Sequence, residues 1–291
     1  MIPTPLVQSF VVFLLLFPFV PCKQTTFAST AIVRPVLPGL INPSGTTLRQ
    51  RIQPPQGYEW TTEPTASFGA WLQQLTLLPH GTPVRNFRGQ AITNQSAHVA
   101  VLNLDVGAQD LQQCADAIIR LRAEYLFAHQ RFSEIGFHFT SGHFLSWNDY
   151  KKGLRPVVNG NEVRFANTDN RDTSYRNFRS YLNTVFSYAG TVSLSRETKA
   201  LEPGAIIRPG YFLVTPGSPG HAVLIIGKAV NRKGKAVYLL AQSFMPAQSV
   251  HVLANPFQSA IHPWYELQVG STVTNTARYV FVPTVIRSFQ Q

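Results

Sequence analysis

The C-terminal third of the chain restricts the possible folds most, because strand signals are concentrated there. Four apolar, partly β-branched segments follow one another at 211–215, 222–230, 236–242 and 250–253, a pattern typical of neighbouring strands. The loop "NRKGK" joins the second segment to the third and predicts a hairpin. Strands joined by such short loops pair antiparallel. We therefore expect an antiparallel sheet in this part of the chain.

Helical periodicity precedes these strands. The segment "DLQQCADAIIRLRAEYLFA" has Asp110 in an N-cap position and an apolar stripe at three- and four-residue steps, formed by Leu111, Cys114, Ile118, Leu121 and Tyr125. Shorter patterns predict helices over 67–78 and 174–188, strands over 98–105 and 136–139, and a hairpin within 151–170 with "NGN" as its turn. Helices followed by a sheet predict an α+β fold, with one long helix packed on a small antiparallel sheet.

The N-terminus carries an export signal pattern. The apolar run "VVFLLLFPFV" at 11–20 is too short to span a membrane and is typical of a signal peptide. Cys22 follows it after Pro21, where a bacterial lipoprotein would be acylated. We interpret 1–22 as a signal peptide or lipoprotein signal, 23–56 as a flexible tether rich in Pro, Gly, Thr and Ser, and 57–291 as one globular domain. This predicts an exported, periplasmic or envelope-associated protein that touches membrane only through its N-terminal segment or a lipid on Cys22.

The charge balance points to an anionic partner. The chain has 25 Lys and Arg against 14 Asp and Glu, a formal net charge of +11. The basic residues are scattered, without the basic runs and interleaved aromatics of a nucleic-acid reader. We therefore expect an anionic polymer of the cell envelope or a peptide substrate as the partner, and no nucleic acid.

Three separated residues form a candidate catalytic set. His221 lies at the start of a predicted apolar strand in "SPGHAVLIIG". If the segments 222–230 and 236–242 pair, Gln242 lies beside His221 and its side-chain amide can fix the imidazole tautomer. Cys114 lies in the first turns of the long helix, where exposed backbone N–H groups favour the thiolate and lower the thiol pKa. A nucleophile, a base and an orienting polar group in this order make a papain-like arrangement.

Each of these residues also has a structural interpretation. Cys114 lies on the apolar stripe and could be an inert core thiol, or pair with Cys22 in a disulfide. His221 could be satisfied by a loop carbonyl, and Gln242 could cap a strand end. His251, in the loop-rich segment after Gln242, is an alternative base.

A metal site is a further alternative. His138 and His143 are five residues apart, with Asp149 nearby. No second Cys/His cluster stands at ligand spacing, so the sequence predicts neither a metal nor an organic cofactor.

Two resemblances add to this interpretation. The segments "LEPGAIIRPGYFLVTPGSPGHAVLIIGKAV" and "YLLAQS" resemble the second half of NlpC-type papain-like cell-wall hydrolases, with Ala205 where those have Asp, and "QQCADAIIRLRAEYL" would supply their cysteine helix. The stretch 57–265 resembles a bacterial family catalogued as domain of unknown function 4846, through "DLQQCADAIIRLRAEYLF", "YAGTVSLSRE", "PGHAVLIIG" and "LLAQSFMPAQSVHVL". The first resemblance implies a papain-like core, with an insertion around 129–175 to accommodate the separation of Cys114 from His221.

Two function hypotheses follow. The first is an exported or lipid-anchored cysteine hydrolase of an amide bond, as in cell-wall peptide, in which Cys114 attacks, His221 transfers the proton, Gln242 orients His221 and the helix start holds the oxyanion. The alternative is a non-catalytic envelope protein that binds an anionic polymer or a protein partner. Its signature would be a Cys114 that is buried and far from His221.

Overall fold

The computed structural model describes residues 39–160 and 162–289. Helices α1 to α6 span Leu48–Arg51, Phe68–Gln73, Cys114–Ala128, Trp147–Tyr150, Tyr175–Tyr188 and Thr191–Arg196. Strands β1 to β14 span Tyr58–Trp60, His98–Val101, Gly136–His138, Phe144–Ser146, Leu154–Asn159, Glu162–Asn167, Lys199–Ala200, Phe212–Thr215, His221–Asn231, Ala236–Gln242, His251–Leu253, Thr274–Asn275, Val280–Phe281 and Ile286–Ser288. The mixture of helices with antiparallel sheet confirms the α+β prediction at that level.

The main sheet has eight strands and is larger than the small sheet that the sequence predicts. Its order is β2-β11-β10-β9-β8-β14-β7, and β1 pairs with the C-terminal end of β9. The four strands predicted from the C-terminal third are β8, β9, β10 and β11, and they are neighbours, as expected. The additional strands β1, β2, β7 and β14 come from distant parts of the chain. The β5–β6 hairpin predicted within 151–170 stands apart as its own two-stranded sheet.

Strand β9 is buried on both faces, which explains its nearly continuous apolar run. Ala222 and Leu224 belong to the larger core cluster, into which α3 and α5 also pack. Val223 and Ile225 face the other side of the sheet and join a second cluster. The sheet therefore separates two apolar layers, and a side chain at the start of β9 faces either the α3 layer or the opposite one.

Helix α3 begins later than Asp110, the predicted N-cap. Cys114 is its first residue, preceded by Gln113 as the N-cap, and the Gln113 backbone N–H donates to Asp116 Oδ2 at 3.0 Å. Asp110 instead accepts from the Ala247 backbone N–H at 2.6 Å. This contact ties the loop before α3 to the loop after β10, so Asp110 anchors a loop and does not cap the helix.

The folded domain begins before residue 57, in contrast to the predicted boundary. Leu48 and Ile52 are buried in the larger cluster. The indole Nε1 of Trp60 donates to the Ile52 carbonyl, and that of Trp264 donates to the Gln53 carbonyl. Residues 39–56 are therefore part of the core, although their Pro- and Gly-rich composition predicts a tether.

The predicted signal segment 1–22, Cys22 and the tether residues 23–38 lie outside the described residues, as does any pairing of Cys22 with Cys114. Within 39–160 and 162–289, none of the helices combines the length and the apolar composition needed to cross a bilayer.

Candidate functional site

Cys114 lies at the first position of α3 and is buried, with 7% of its surface exposed. Burial raises the pKa of its thiol to about 11, although the backbone amides of Ala222 and Ala115 favour the thiolate and the carboxyl of Asp116 opposes it. The prediction of a lowered thiol pKa is therefore wrong for Cys114 as it is buried in this structure. The backbone amides at the helix start act in the predicted direction, but desolvation is the larger effect.

A pocket of about 240 Å³ opens beside Cys114. Its walls come from the start of α3, from the segment before α6 and from the turn 217–220. Asp116 lines the same pocket, and its burial raises the pKa of its carboxyl to about 8. Within the described chain, Asp116 Oδ1 has no hydrogen-bond partner. Cys114 and Asp116, two of the ionisable groups that line the pocket, are thus both neutral at pH 7.

His221 opens β9 and is held by Gln242 at the end of β10. The two strands pair as predicted, and His221 Nε2 lies 2.8 Å from Gln242 Oε1. The ring packs 4.9 Å from Phe244 and 4.7 Å from Tyr279, measured between ring centroids. Burial lowers the pKa of His221 to about 4, with the Gln242 hydrogen bond acting against that shift and the charge of Arg278 adding to it. The imidazole is therefore neutral at pH 7.

A second histidine determines which ring nitrogen of His221 carries the proton. His251 Nδ1 lies 2.8 Å from the Ser249 carbonyl oxygen, which can only accept, so Nδ1 carries the hydrogen. Burial lowers the pKa of His251 to about 3, so its ring is neutral and Nε2 is an acceptor. Gln242 Nε2 lies 3.5 Å from this nitrogen and donates to it.

This chain of hydrogen bonds fixes the orientation of the Gln242 amide. With its NH₂ group turned to His251, its Oε1 faces His221 and accepts from His221 Nε2–H. The proton of neutral His221 is then on Nε2, and Nδ1 keeps its lone pair. Nδ1 makes no hydrogen bond within the described residues. A neutral imidazole with one nitrogen fixed and the other unoccupied is the form that a general base requires.

The structure joins His221 to Gln242 but does not hydrogen-bond Cys114 to His221. The His221 ring lies on the face of Val223 and Ile225, against Tyr279. Helix α3 packs on the other face of β9, and the Cys114 thiol interacts with the Ala222 amide, one residue along from His221. The thiol and the imidazole thus approach the same end of β9 from its two sides.

The remaining candidates occupy other places. His251, the alternative base, is buried behind Gln242 with both ring nitrogens engaged. His138 Nδ1 contacts Glu197 at 3.0 Å, and His143 Nδ1 lies 3.0 Å from the Ser141 hydroxyl. In the described part of the chain, no three His, Cys, Asp or Glu side chains group as metal ligands would.

Sequence reasoning did not recognise the positioning role of His251 or the contact of Tyr279. The position of His251 could have been predicted from the pairing of β11 with β10, because their register places His251 opposite Gln242. Tyr279 follows a long irregular segment, and no local pattern predicts that it returns to cover His221.

Comparison with known proteins gives one match. A family model described as Domain of unknown function (4846) matches residues 48–287, well over half of the chain. No curated protein and no solved structure matches the chain. The matched range begins at α1, in agreement with a folded domain that starts before residue 57.

Proposed function

The chain belongs to the family described as Domain of unknown function (4846), and we propose that it is a cysteine hydrolase that cleaves an amide bond in cell-wall peptide. In this proposal the protein is exported or lipid-anchored and has a papain-like core of the NlpC type. Cys114 is the nucleophile, His221 the general base and acid, and Gln242 the residue that orients His221.

The observation that carries the proposal is the hydrogen bond from His221 Nε2–H to Gln242 Oε1, at 2.8 Å. It holds the ring in one tautomer and leaves Nδ1 as the basic nitrogen. Gln242 is itself oriented by His251, so the tautomer does not depend on solvent. A buried histidine with a purely structural role would need only to satisfy its own polar atoms, whereas this one keeps an unoccupied acceptor next to the residue whose amide reaches the Cys114 thiol.

The reaction begins from two neutral groups. As the thiol sulfur attacks the carbonyl carbon, its proton passes to His221 Nδ1, and the backbone N–H groups at the start of α3 hold the oxyanion. The imidazolium then gives the proton to the leaving amine and a thioester remains on Cys114. Water, deprotonated by His221, attacks the thioester, and the carboxylic acid and the thiol are released.

The two groups must come within reach before the first step. Catalytic hydrogen bonds are often long in the free enzyme and shorten when substrate is bound. The turn 217–220 lines the Cys114 pocket and leads directly into His221. Movement of this turn on substrate binding would bring Nδ1 toward the sulfur.

The test is hydrolysis of defined cell-wall peptides, with Cys22→Ser as the background so that all thiol chemistry reports on Cys114. We expect product from this background protein, and a loss of at least about a thousandfold in kcat for Cys114→Ala, as for removal of a catalytic nucleophile. For Gln242→Leu we expect a smaller loss, together with a change in the ¹⁵N shifts of His221 as Nε2–H loses its acceptor. Activity retained by Cys114→Ala would exclude the mechanism.

Two observations favour the non-catalytic alternative. The Cys114 thiol is buried and its pKa is raised, and the thiol and the His221 ring lie on opposite faces of β9 with no hydrogen bond between them. Under this alternative, a peptidyl chloromethyl ketone would fail to label Cys114 at any pH at which the protein stays folded. Labelling of Cys114 that is lost in His221→Ala, while circular dichroism shows the fold intact, would instead support the hydrolase.

A further inference from the structure

A second, larger cavity of about 1010 Å³ lies at the other end of α3. It is enclosed by the loop 63–67 and the start of α2, the second half of α3, the segment 208–211 before β8, and the end of β14. None of the residues that line it also lines the Cys114 pocket. Arg122 is two helical turns after Cys114, so the two cavities open about 12 Å apart along the helix axis.

Arg122 is the central side chain of this cavity. Its guanidinium carbon lies 5.5 Å from the ring centroid of Phe68, 5.4 Å from that of Tyr125 and 5.5 Å from that of Phe289. Three aromatic rings at such distances hold the cation in place by cation–π attraction. Burial among them lowers the pKa of Arg122, but a guanidinium remains charged in proteins.

The guanidinium of Arg122 has no directly bonded anionic partner within the described residues; Glu134, which pairs with Arg131, acts on its charge only at longer range. None of its N–H groups donates to a protein acceptor there, and none of the ion pairs of the described chain includes it. A guanidinium presents five N–H donors in a planar fork that matches a carboxylate or phosphate. A half-buried arginine held by rings but without an acceptor is arranged for an acceptor from outside the protein.

The surroundings add positive charge. Lys199 and Arg208 also line the cavity, and neither forms an ion pair within the described chain. Arg131, a fourth cation in the wall, is paired with Glu134. Glu63 is the one acidic side chain among the lining residues. The side chains that line the cavity therefore carry a net positive charge, which an anionic ligand would neutralise and a neutral ligand would not.

We propose that this cavity is a binding site for an oxyanion, the phosphate or carboxylate group of a small ligand, with Arg122 as its anchor and Arg208 and Lys199 at its rim. The anchor forms a two-pronged hydrogen bond with the oxyanion. The proposal does not depend on hydrolysis at Cys114, since the two cavities share no lining residue.

Isothermal titration calorimetry with inorganic phosphate, and separately with succinate, tests the site. We expect saturable binding to the unaltered protein, and a loss of about tenfold or more in affinity for Arg122→Gln, the usual contribution of a charge-assisted hydrogen bond. Arg208→Gln, an exposed rim position, should weaken binding without a risk to the fold. The tighter of the two anions identifies whether phosphate or carboxylate is the group recognised.

Arg164→Gln is the matched control, because it removes the same charge from the exposed β6 strand, where Arg164 pairs with Glu162. It should bind as the unaltered protein does, and so should Cys114→Ser. Equal weakening by Arg164→Gln, Arg122→Gln and Arg208→Gln would show that the anions respond only to the net charge of +11 and would overturn the proposal. Absence of saturable binding of either anion to the unaltered protein would overturn it as well.

Discussion

At the residue scale, the candidate site consists of ionisable groups that burial keeps neutral. The thiol pKa of Cys114 is raised to about 11, the carboxyl pKa of Asp116 is raised to about 8, and the imidazole pKa of His221 is lowered to about 4. Each shift favours the uncharged form at pH 7. Without substrate, the site therefore contains no thiolate–imidazolium pair. Its reactivity depends on a proton transfer from the Cys114 thiol to His221 that accompanies attack by the sulfur.

Asp116→Asn tests how the carboxyl affects the thiol. Above pH 8 the Asp116 carboxylate adds negative charge near the sulfur and opposes the thiolate. The amide removes that charge and can still accept from the Gln113 backbone N–H. We expect the apparent pKa of the Cys114 thiol to fall below about 11, while burial still keeps it raised, seen as faster iodoacetamide alkylation at alkaline pH in a Cys22→Ser background.

The same substitution should change the pH dependence of stability. The folded-state pKa of Asp116, about 8, lies above its unfolded value of 3.8. Its contribution to stability is therefore fully present below pH 3.8 and is lost as the pH rises through about 8. In urea unfolding, the free energy of the unaltered protein minus that of Asp116→Asn should fall by about 1.4 kcal/mol per pH unit over this range. An unchanged difference would mean that Asp116 is ionised in the fold.

At the element scale, β9 is a buried strand against which the Trp60 ring of β1 packs closely at one point. At Gly227 an added Cβ would lie 2.7 Å from the Trp60 ring. That ring cannot easily move, because it packs 4.9 Å from the ring of Trp264 and its Nε1 donates to the Ile52 carbonyl. The absence of a side chain at Gly227 thus leaves room for the Trp60 ring where β1 pairs beside β9.

Gly227→Ala should cost about 1–3 kcal/mol of the free energy of unfolding, the usual cost of overpacking a core. In a Trp60→Leu background the added methyl group meets a smaller side chain, so the same substitution should cost less. Urea unfolding of the four proteins of this cycle measures the coupling. Equal costs in both backgrounds would mean that Trp60 is not the obstacle.

The elements also show what the sequence could predict. The strands β8 to β11 and helix α5 follow local patterns of periodicity and turns, and the structure confirms them. The start of α3 was misplaced, because Asp110 has the right chemistry for a cap but is engaged by Ala247. Strands β1, β7 and β14 are two or three residues long and are defined by distant partners, so no local pattern marks them.

The candidate site was predictable in part: the contact of His221 with Gln242 follows from the sequence, and the position of Cys114 does not. Strand pairing brings Gln242 to His221, and that pairing follows from one hairpin. The position of Cys114 relative to the sheet depends on which face of β9 helix α3 covers. Both faces of β9 are apolar, so the sequence does not distinguish them.

At the scale of the whole molecule, the N-terminal segment of the described chain is a structural part of the core. We expect Ile52→Ala to lower the free energy of unfolding by about 2–5 kcal/mol, because Ile52 is fully buried. Ile206→Ala is the matched control, since Ile206 is 64% exposed, and should change stability by no more than about 0.5 kcal/mol. If both variants unfold at the same urea concentration, residues 39–56 contribute little to the core.

Because β9 is buried on both faces, the stability of the sheet and the accessibility of the Cys114 thiol depend on different parts of the chain. Amide hydrogens in the central strands of such a layered sheet exchange with solvent only when the whole domain opens, and His221 is anchored at the start of this strand. The Cys114 pocket is instead walled by the turn 217–220, whose opening need not disturb the sheet. Sequence changes in that turn can therefore alter how readily the thiol is reached without loosening the central strands, so reactivity and folding can diverge independently among members of the family.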